Sequence, residues 1–355
     1  MKIRAFITHK KAEHFADCQD RFSINTDTKS AAVSDGMSQS IFQKIWAEIL
    51  ADTYTKDTCW HPSEDIENKK VREELSVIWR ERVDNRLREL QEEGKLTYLA
   101  EGMLAQGKSA GATLAGVRFN GQSWNGDVLG DTCVVEVEKG NIVHIHTSQD
   151  NNAFDNYPDY YDSNPHKEGK GKPKAICGQL QSDSLLLIVS DPFSDLFCEL
   201  QKQDKGKVPT LIEQVLALKT HNDYEKLISD WRTNYGMHND DSTLAIIEYD
   251  GSDEFSMEVV DDIRNLESAE EPCPLITRNS PFEKEPASPS IQEMPAIENE
   301  TTQLKRENAA LKEENKALTQ KNKELEKKVD ELNRKGGLLN RVGKYVGCSR
   351  RKKKK

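Results

Sequence analysis

The stretch LLLIVSDPFSD at residues 185–195 joins an apolar run to two acidic residues. Leu185–Ser190 is short, apolar and bounded by polar residues, which is a pattern that predicts a β-strand. Asp191 follows this strand directly, and Asp195 lies about one turn later. Because a strand end holds a side chain rigidly beside loops that a substrate can reach, these two acids are candidates for a functional site.

Other aspartates stand at the ends of apolar runs in the same way. They are Asp20 before RFSI, Asp35 after AAVS, Asp131 after VLG, and Asp240 and Asp241 before STLAIIEY. Carboxylates that converge repel one another unless a cation neutralises them, and an all-oxygen, anionic site suits Mg²⁺ or Mn²⁺. The competing interpretation of any single aspartate is a turn or capping residue. The order and contexts of the whole set favour the metal site.

The composition divides the chain into parts. Its 355 residues are 35% hydrophobic and 31% charged, which predicts a compact core with polar extensions. The strand-like runs predict a domain at residues 1–250. Prolines and acids at 251–296 predict a disordered linker, because such a segment cannot bury enough apolar surface to offset its ordering entropy. A heptad segment at 297–335 and a basic tail at 336–355 follow.

Strand-like and helix-like segments within residues 1–250 are clustered rather than strictly alternating. This order favours an α+β fold over a doubly wound parallel sheet. Besides residues 185–190, the predicted strands are Ala31–Ser34, Ala112–Phe119, Thr132–Val137, Ile142–His146 and Thr243–Tyr249. The predicted helices run over Ile41–Thr53, Val71–Leu90, Leu211–Leu218 and Asp223–Trp231.

The segment 297–335 carries an aliphatic residue at every seventh position. These residues are Ile297, Leu304, Leu311, Leu318, Leu325 and Leu332. If they occupy the d positions of a heptad, three of the a positions hold Asn. Leu at d with Asn at a favours two parallel helices in register, so we predict a homodimer through this coiled coil. The competing interpretation is a single solvated helix.

Composition and charge exclude several classes of protein. The sequence has no run of 18 apolar residues and no apolar signal region, so we expect neither a spanning helix nor secretion. Seven cysteines without a Cys-x-x-Cys spacing predict a reducing, cytoplasmic compartment. The net charge is −11, with eight Lys or Arg among the last fifteen residues, so no nucleic-acid partner is expected. The tail at 341–355 is either a contact for an anionic membrane surface, on its inner face, or an unstructured charged end.

Six short motifs follow one another along the chain. They are Gln19-Asp20, AAVSDGM (31–37), SAGATLAG (109–116), GDT (130–132), LLLIVSDPFSD (185–195) and DDSTLAII (240–247). Together they resemble the metal-dependent protein phosphatase 2C family over nearly all of residues 1–250, and His14 before Cys18-Gln-Asp is similar to a bacterial subgroup of it. The resemblance implies a sandwich of two antiparallel sheets flanked by helices. It also implies hydrolysis of phosphoserine or phosphothreonine in proteins by a metal-activated water. A phosphorylated kinase or signalling protein is one substrate that we consider.

The resemblance implies a set of metal ligands by position. Two ions, Mn²⁺ or Mg²⁺, would be bound by Asp20, Asp35, Asp191 and Asp240, with the carbonyl of Gly36 as a further ligand. Asp131 and Asp195, together with Asp191, match positions that bind a third ion in some members. Asp241 stands where the family often has Asn. Which of the two adjacent acids is a ligand stays open, with Asp240 favoured because it aligns with the first residue of the motif.

The chain departs from the family pattern at positions that concern substrate grip and proton transfer. Phe15 and Ala16 stand where many members have an Arg that grips the phosphate. Met37 stands where many have a His, and Pro192 replaces a Gly. His14 is the candidate proton donor or phosphate contact, because imidazole titrates in the useful range, and a histidine without such a role is the competing interpretation. The departures leave open a non-catalytic phosphoprotein-binding scaffold and a coiled-coil adaptor.

Overall fold

The computed structural model describes residues 1–65, 69–149, 158–167, 169–181 and 184–269. These residues belong to one compact unit, Met1–Ile276. The predicted coiled coil (297–335), the basic tail (336–355) and the later part of the predicted linker lie outside the described residues. No helix in the described ranges combines the length and the apolar composition needed to cross a bilayer.

Strands and helices occur in clusters along the unit rather than in strict alternation. The strands are β1 (Lys2–Thr8), β2 (Arg21–Asn25), β3 (Ser30–Ser34), β4 (Gly111–Ala112), β5 (Leu114–Asn120), β6 (Ser123–Leu129), β7 (Cys133–Glu138), β8 (Asn141–His146), β9 (Tyr161–Asp162), β10 (Lys174–Gln179), β11 (Ser184–Val189), β12 (Ser242–Glu248) and β13 (Ser256–Val260). The helices are α1 (Gln43–Lys56), α2 (Pro62–Asp65), α3 (Lys69–Glu92), α4 (Tyr98–Ala105), α5 (Asp191–Gln203), α6 (Val208–Leu216), α7 (His221–Asn234) and α8 (Ile263–Ala269). Short 3₁₀ helices occupy Phe15–Asp17 and Lys205–Lys207.

Two large sheets and a short ribbon organise these strands. The first sheet has the order β13-β1-β12-β11-β7-β8, and the second has the order β10-β6-β5-β3-β2. Neighbouring strands are antiparallel except for β1 and β13, which are parallel. Strands β4 and β9 form the ribbon. The predicted α+β class and the predicted sandwich of two sheets are therefore confirmed.

Strand β11 shows why the run LLLIV has no polar position. Leu186 and Ile188 belong to the core shared by the two sheets, together with residues of β1, β3, β5 and β12. Leu185, Leu187 and Val189 belong to a second core, which β11 shares with α5, α6 and α7. A strand covered on both faces needs apolar residues at every position, because each side chain is removed from water.

The second sheet is covered on its outer side by a helical layer. Residues of α1, α3 and α4 form one core with Ala32 of β3, Leu114 of β5 and Leu129 of β6. The compact unit therefore has four layers in the order helices, sheet, sheet, helices. The loops at the strand ends stay outside these layers, where side chains can face solvent.

Two parts of the chain differ from the sequence prediction. The predicted strand 112–119 is divided into β4 and β5, because Thr113 donates its backbone N–H to the carbonyl of Asp35 (2.9 Å) and β4 pairs with β9. The linker is predicted to start at residue 251, whereas β13 and α8 continue the compact unit past that residue. Phe255 is buried beside Phe119, so this stretch does contribute an apolar anchor.

Candidate functional site

A cavity of about 420 Å³ lies where several strand ends and the start of α5 come together. Its lining includes five of the predicted metal-binding aspartates and the predicted glycine: Asp35, Gly36, Asp131, Asp191, Asp195 and Asp240. The rest of the lining is mostly polar or small and comprises Met37, Ser38, Gln39, Thr113, Pro158, His238 and Asn239. Acids from four separate stretches of sequence therefore face one space.

Asp35 and Gly36 are placed by close packing at the end of β3. The backbone N–H of Asp35 donates to the hydroxyl of Thr113 (3.1 Å), which in turn is hydrogen-bonded to the hydroxyl of Thr132. A Cβ atom on Gly36 would lie 3.1 Å from the carbonyl oxygen of Gln19, so a side chain there would press on the backbone next to Asp20. The glycine thus lets these two stretches approach each other.

Asp191 and Asp195 lie on the first two turns of α5. Pro192 occupies the first turn of this helix, where a missing N–H leaves no hydrogen bond unmade. Ser194 on the same turn donates its hydroxyl to the carbonyl of Asp131 (2.6 Å), which ties α5 to the stretch before β7. This hydrogen bond therefore fixes the start of α5 relative to Asp131.

Asp20 lies behind the cavity and is fully buried. Its Oδ2 atom accepts a hydrogen bond from the hydroxyl of Thr243 on β12 (2.7 Å). Its Oδ1 atom is also buried and accepts no hydrogen bond in the described part of the chain. A buried carboxylate oxygen without a donor is costly, so this atom suits a cation.

Asp240 and Asp241 are adjacent in sequence but have different surroundings. Asp241 is buried, and its Oδ1 and Oδ2 atoms accept the backbone N–H groups of Lys10 (3.0 Å) and Gln19 (2.7 Å). Asp240 lines the cavity and forms an ion pair with the ammonium of Lys10 (2.9 Å). The geometry gives Asp241 a role in holding the loops together and leaves Asp240 facing the cavity.

Burial and mutual repulsion perturb the carboxyl groups of the site. Burial, together with the charges of Asp131 and Asp240, raises the pKa of Asp35 to about 8. Burial and the charges of Asp35 and Asp131 raise the pKa of Asp191 well above its usual range. Burial and the charge of Asp35 do the same to the pKa of Asp20. Positive charge placed among these groups would favour their ionised forms.

The donor set fits hard divalent cations by charge and by atom type. Its oxygens are carboxylates plus one backbone carbonyl, which Mg²⁺ and Mn²⁺ prefer over nitrogen or sulfur ligands. Among the described residues, no three acids, histidines or cysteines already stand at metal-binding distances from one point.

The histidine predicted from the sequence does not line the cavity, whereas another one does. His14 is exposed and precedes the 3₁₀ helix Phe15–Asp17. His238 lines the cavity, and its Nε2 atom lies 3.5 Å from Oδ2 of Asp195. The sequence signal for His238 is its position two residues before Asp240, in a polar loop that leads into β12.

The positions that depart from the family pattern have structural roles. Phe15 is buried in a small core with Ile7 and Cys18. Met37 lines the cavity beside Gly111, on which a Cβ atom would lie 2.7 Å from the Met37 sulfur. Phe15 therefore contributes to packing, and Met37 contributes to the cavity wall.

Solved structures of bacterial phosphatases resemble the chain at low identity. The catalytic domain of the serine/threonine protein phosphatase PstP, solved with two manganese ions, has 15% identity and a TM-score of 0.42, with 69% of this chain and 96% of that one covered. The S. agalactiae serine/threonine phosphatase has 15% identity and a TM-score of 0.41, with 69% and 98% covered. The Mycobacterium tuberculosis phosphatase PstP/Ppp has 14% identity and a TM-score of 0.42, with 70% and 98% covered.

The family assignment rests on a match at the level of sequence. A search of curated proteins gives no match. The family model described as protein phosphatase 2C matches residues 10–231, which is more than half of the chain and includes most of the cavity's acids. The chain belongs to the protein phosphatase 2C family.

Proposed function

We propose that this protein is a metal-dependent phosphatase that removes phosphate from serine or threonine residues of proteins. The observation that carries the proposal is the convergence of five aspartates on one cavity, with Asp20 buried behind it. So much negative charge is unfavourable unless cations share the space. Membership of the protein phosphatase 2C family supports the same chemistry.

The proposed ligands of two Mn²⁺ or Mg²⁺ ions are Asp20, Asp35, Asp191 and Asp240, with the carbonyl of Gly36. Asp131 and Asp195 are the proposed ligands of a third ion. Asp241 is left out of the set, because both of its oxygens already accept backbone N–H groups. When bound, such ions supply an activated water and positive charge for the phosphoryl oxygens.

Hydrogen bonds and an ion pair from the chain's own residues hold parts of this site. Thr243 orients the carboxyl of Asp20, and Thr113 holds the backbone of Asp35. The ion pair with Lys10 holds Asp240 at the cavity wall. Fixed groups need little reorganisation when substrate binds, which is the main source of electrostatic catalysis.

The parts of the chain outside the described residues have proposed roles in assembly. The heptads at 297–335 would pair two chains into a homodimer. The basic residues of 341–355 would bind an anionic membrane surface, reversibly and in a salt-dependent way, from the cytoplasmic side. Phosphorylated signalling proteins, including kinases, are the proposed substrates.

Turnover of p-nitrophenyl phosphate and of phosphopeptides with Mn²⁺ tests the proposal. We expect EDTA to abolish turnover and added Mn²⁺ to restore it. Asp35→Asn and Asp191→Asn should each lower turnover by more than about 100-fold, beyond the loss caused by removing an outer-shell partner. The matched control is Asp27→Asn, which makes the same change at an exposed turn residue and should leave turnover unchanged.

Two outcomes contradict the proposal. Turnover that persists in EDTA, or in the Asp35→Asn variant, would exclude metal catalysis at this cavity. Absence of turnover while calorimetry still detects Mn²⁺ binding would favour the non-catalytic scaffold that binds phosphoproteins.

A further inference from the structure

Helix α8 lies against the segment that leads into Asp20. Ile263 and Leu266 of α8 pack on the small core formed by Ile7, Phe15 and Cys18. Helix α8 lies outside the region that the family model matches, which ends at residue 231. An apolar contact of this kind fixes the helix on the segment but does not by itself say what the helix does there.

Glu267 on α8 is the shared partner of two cations. Its Oε1 atom accepts hydrogen bonds from the guanidinium of Arg21 (2.7 Å) and from the ammonium of Lys44 (2.9 Å). Arg21 is almost completely buried, and the side chains of Glu267 and Lys44 are about one-third exposed. A carboxylate between two cations at low exposure forms strong, directional hydrogen bonds.

The two cationic side chains also donate hydrogen bonds to backbone carbonyl groups close to Asp20. Arg21 Nη1 donates to the carbonyl of Cys18 (3.0 Å) and also to the carbonyl of Asp20. Lys44 Nζ donates to the carbonyl of Ala16 (2.8 Å). Three carbonyl groups within residues 16–20 are therefore held by two side chains whose common counter-ion is Glu267.

Loss of Glu267 would weaken the hold of Arg21 and Lys44 on the backbone of residues 16–20. The Lys44 ammonium can turn to solvent and release Ala16. The Arg21 guanidinium is too buried to do so and would keep an uncompensated charge under the backbone of Asp20, which is strongly unfavourable. Either change loosens the backbone that carries Asp20, and a small misplacement of a ligand weakens a site greatly.

We propose that Glu267 is a positioning residue for the metal centre and that α8 sets the metal affinity of the cavity through Arg21 and Lys44. This inference rests on the proposed function, because it takes Asp20 as a metal ligand. It extends the site to a helix that lies outside the matched region. The chain continues from α8 directly into the segment that precedes the heptads.

The test compares the full-length protein with its Glu267→Gln variant, which keeps the shape of the side chain and removes its charge. Calorimetry with Mn²⁺ should show an affinity about 10–100-fold weaker, as for loss of an outer-shell partner. Amide hydrogen exchange of the metal-free protein should become faster at residues 16–20 and stay unchanged in β11 and β12. The control is Glu258→Gln, which removes the same charge from β13, where Glu258 pairs with exposed Lys2.

A second variant tests whether the effect of Glu267→Gln is specific or comes from a general loss of structure. Lys44→Met removes the hydrogen bond to Ala16 and the ion pair with Glu267, but it leaves the Arg21–Glu267 pair in place, so it should weaken Mn²⁺ binding less than Glu267→Gln does. Wild-type affinity together with unchanged exchange at residues 16–20 in Glu267→Gln would overturn the inference. If the wild-type protein binds no Mn²⁺, the proposed function fails, and the exchange experiment, which needs no metal, still decides whether Glu267 holds this segment.

Discussion

Asp35 is a half-buried acid whose proton is held more tightly in the folded protein than in the unfolded chain. Its pKa rises from 3.8 to about 8, because it is half-buried and because Asp131 and Asp240 lie near it. Between these two values the folded state binds more protons, so the free energy of unfolding falls as the pH rises. Each such carboxyl contributes a slope of up to about 1.4 kcal/mol per pH unit.

We therefore expect the metal-free protein to lose stability between about pH 5 and about pH 8, as measured by urea unfolding in EDTA. Asp35→Asn should flatten this dependence and raise the stability at the upper end, because it removes one of the repelling charges. Equal pH dependence in the two proteins would show that Asp35 does not titrate in this range.

The candidate site was predictable where it depends on strand ends and unpredictable where it depends on loop conformation. Asp35, Asp191 and Asp240 were found because each adjoins an apolar run, and strand ends converge in a sandwich. His238 was not found, because a polar loop has no periodicity that shows which side chain faces a cavity. His14 was predicted because imidazole titrates in the useful range, which says nothing about where the side chain lies, and the structure places it exposed before a short 3₁₀ helix.

At the scale of elements, Gly116 of strand β5 packs against Tyr54 of helix α1. A Cβ atom on Gly116 would overlap the ring of Tyr54, which is fully buried and is covered on one face by the guanidinium of Arg118, 3.8 Å from the ring centre. The same guanidinium donates to the carbonyls of Tyr54 (2.6 Å) and Trp60 (2.9 Å). The glycine therefore sets the distance between helix and sheet.

Gly116→Ala should lower the free energy of unfolding by about 1–3 kcal/mol, as overpacking of a core does. The matched control is Gly102→Ala in α4, where nothing lies within 4 Å of the new methyl group. This variant should gain about 0.5–1 kcal/mol, because alanine is the better helix former. Urea titrations of both variants measure the difference, and a tolerated Gly116→Ala would mean that α1 can shift away from the sheet.

His221 at the start of α7 links this helix to the stretch between β13 and α8. Its Nδ1 atom lies 2.8 Å from Oδ2 of Asp261, which also accepts the backbone N–H of Ile7 (2.9 Å). The hydrogen bond to Asp261 and its charge, with a contribution from Glu225, raise the pKa of His221 although burial opposes the shift. Because folding raises the pKa of His221, its protonation stabilises the folded state fully below pH 6.5, the pKa of the unfolded chain. This stabilisation is lost as the pH rises through the pKa of His221 in the folded state.

His221→Asn should therefore destabilise the protein more at about pH 6 than at about pH 9, by roughly 1–3 kcal/mol at the lower value. Denaturant unfolding of the wild type and the variant at both pH values gives the difference. His166→Asn, at an exposed histidine, is the control and should show no such pH dependence. A penalty that is the same at both pH values would assign to His221 a packing role only.

The apolar strands β11 and β12 and the edge strand β8 were predicted, whereas the buried strand β1 and the edge strands β10 and β13 were not. Strands β11 and β12 are covered on both sides, so their sequences are largely apolar and clearly predict strands. Strand β10 lies at the edge of the second sheet with most of its residues exposed, and β13 is partly exposed at the edge of the first. Edge strands carry polar residues because one side meets water, so the pattern that identifies a strand is weak there.

At the scale of the whole molecule, the heptads at 297–335 predict a homodimer. Light scattering coupled to size exclusion should give twice the mass of one chain. Leu318→Lys places a charge at a d position and should yield monomers, whereas Gln320→Lys places the same charge on the outer face of the helix and should not. A monomeric wild-type protein would instead favour the single solvated helix.

The position of β1 in the first sheet governs the order in which the unit can be completed. Residues Lys2–Thr8 pair with Ser242–Glu248 on one side and with part of β13 on the other. During synthesis the first strand therefore has to wait until almost the whole unit has left the ribosome before it finds its neighbours. Contacts so distant in sequence make closure of a sheet slow, and a strand that waits with unpaired edges is prone to aggregate. The protein should accordingly depend on chaperones during synthesis, and its yield should respond to the rate of translation.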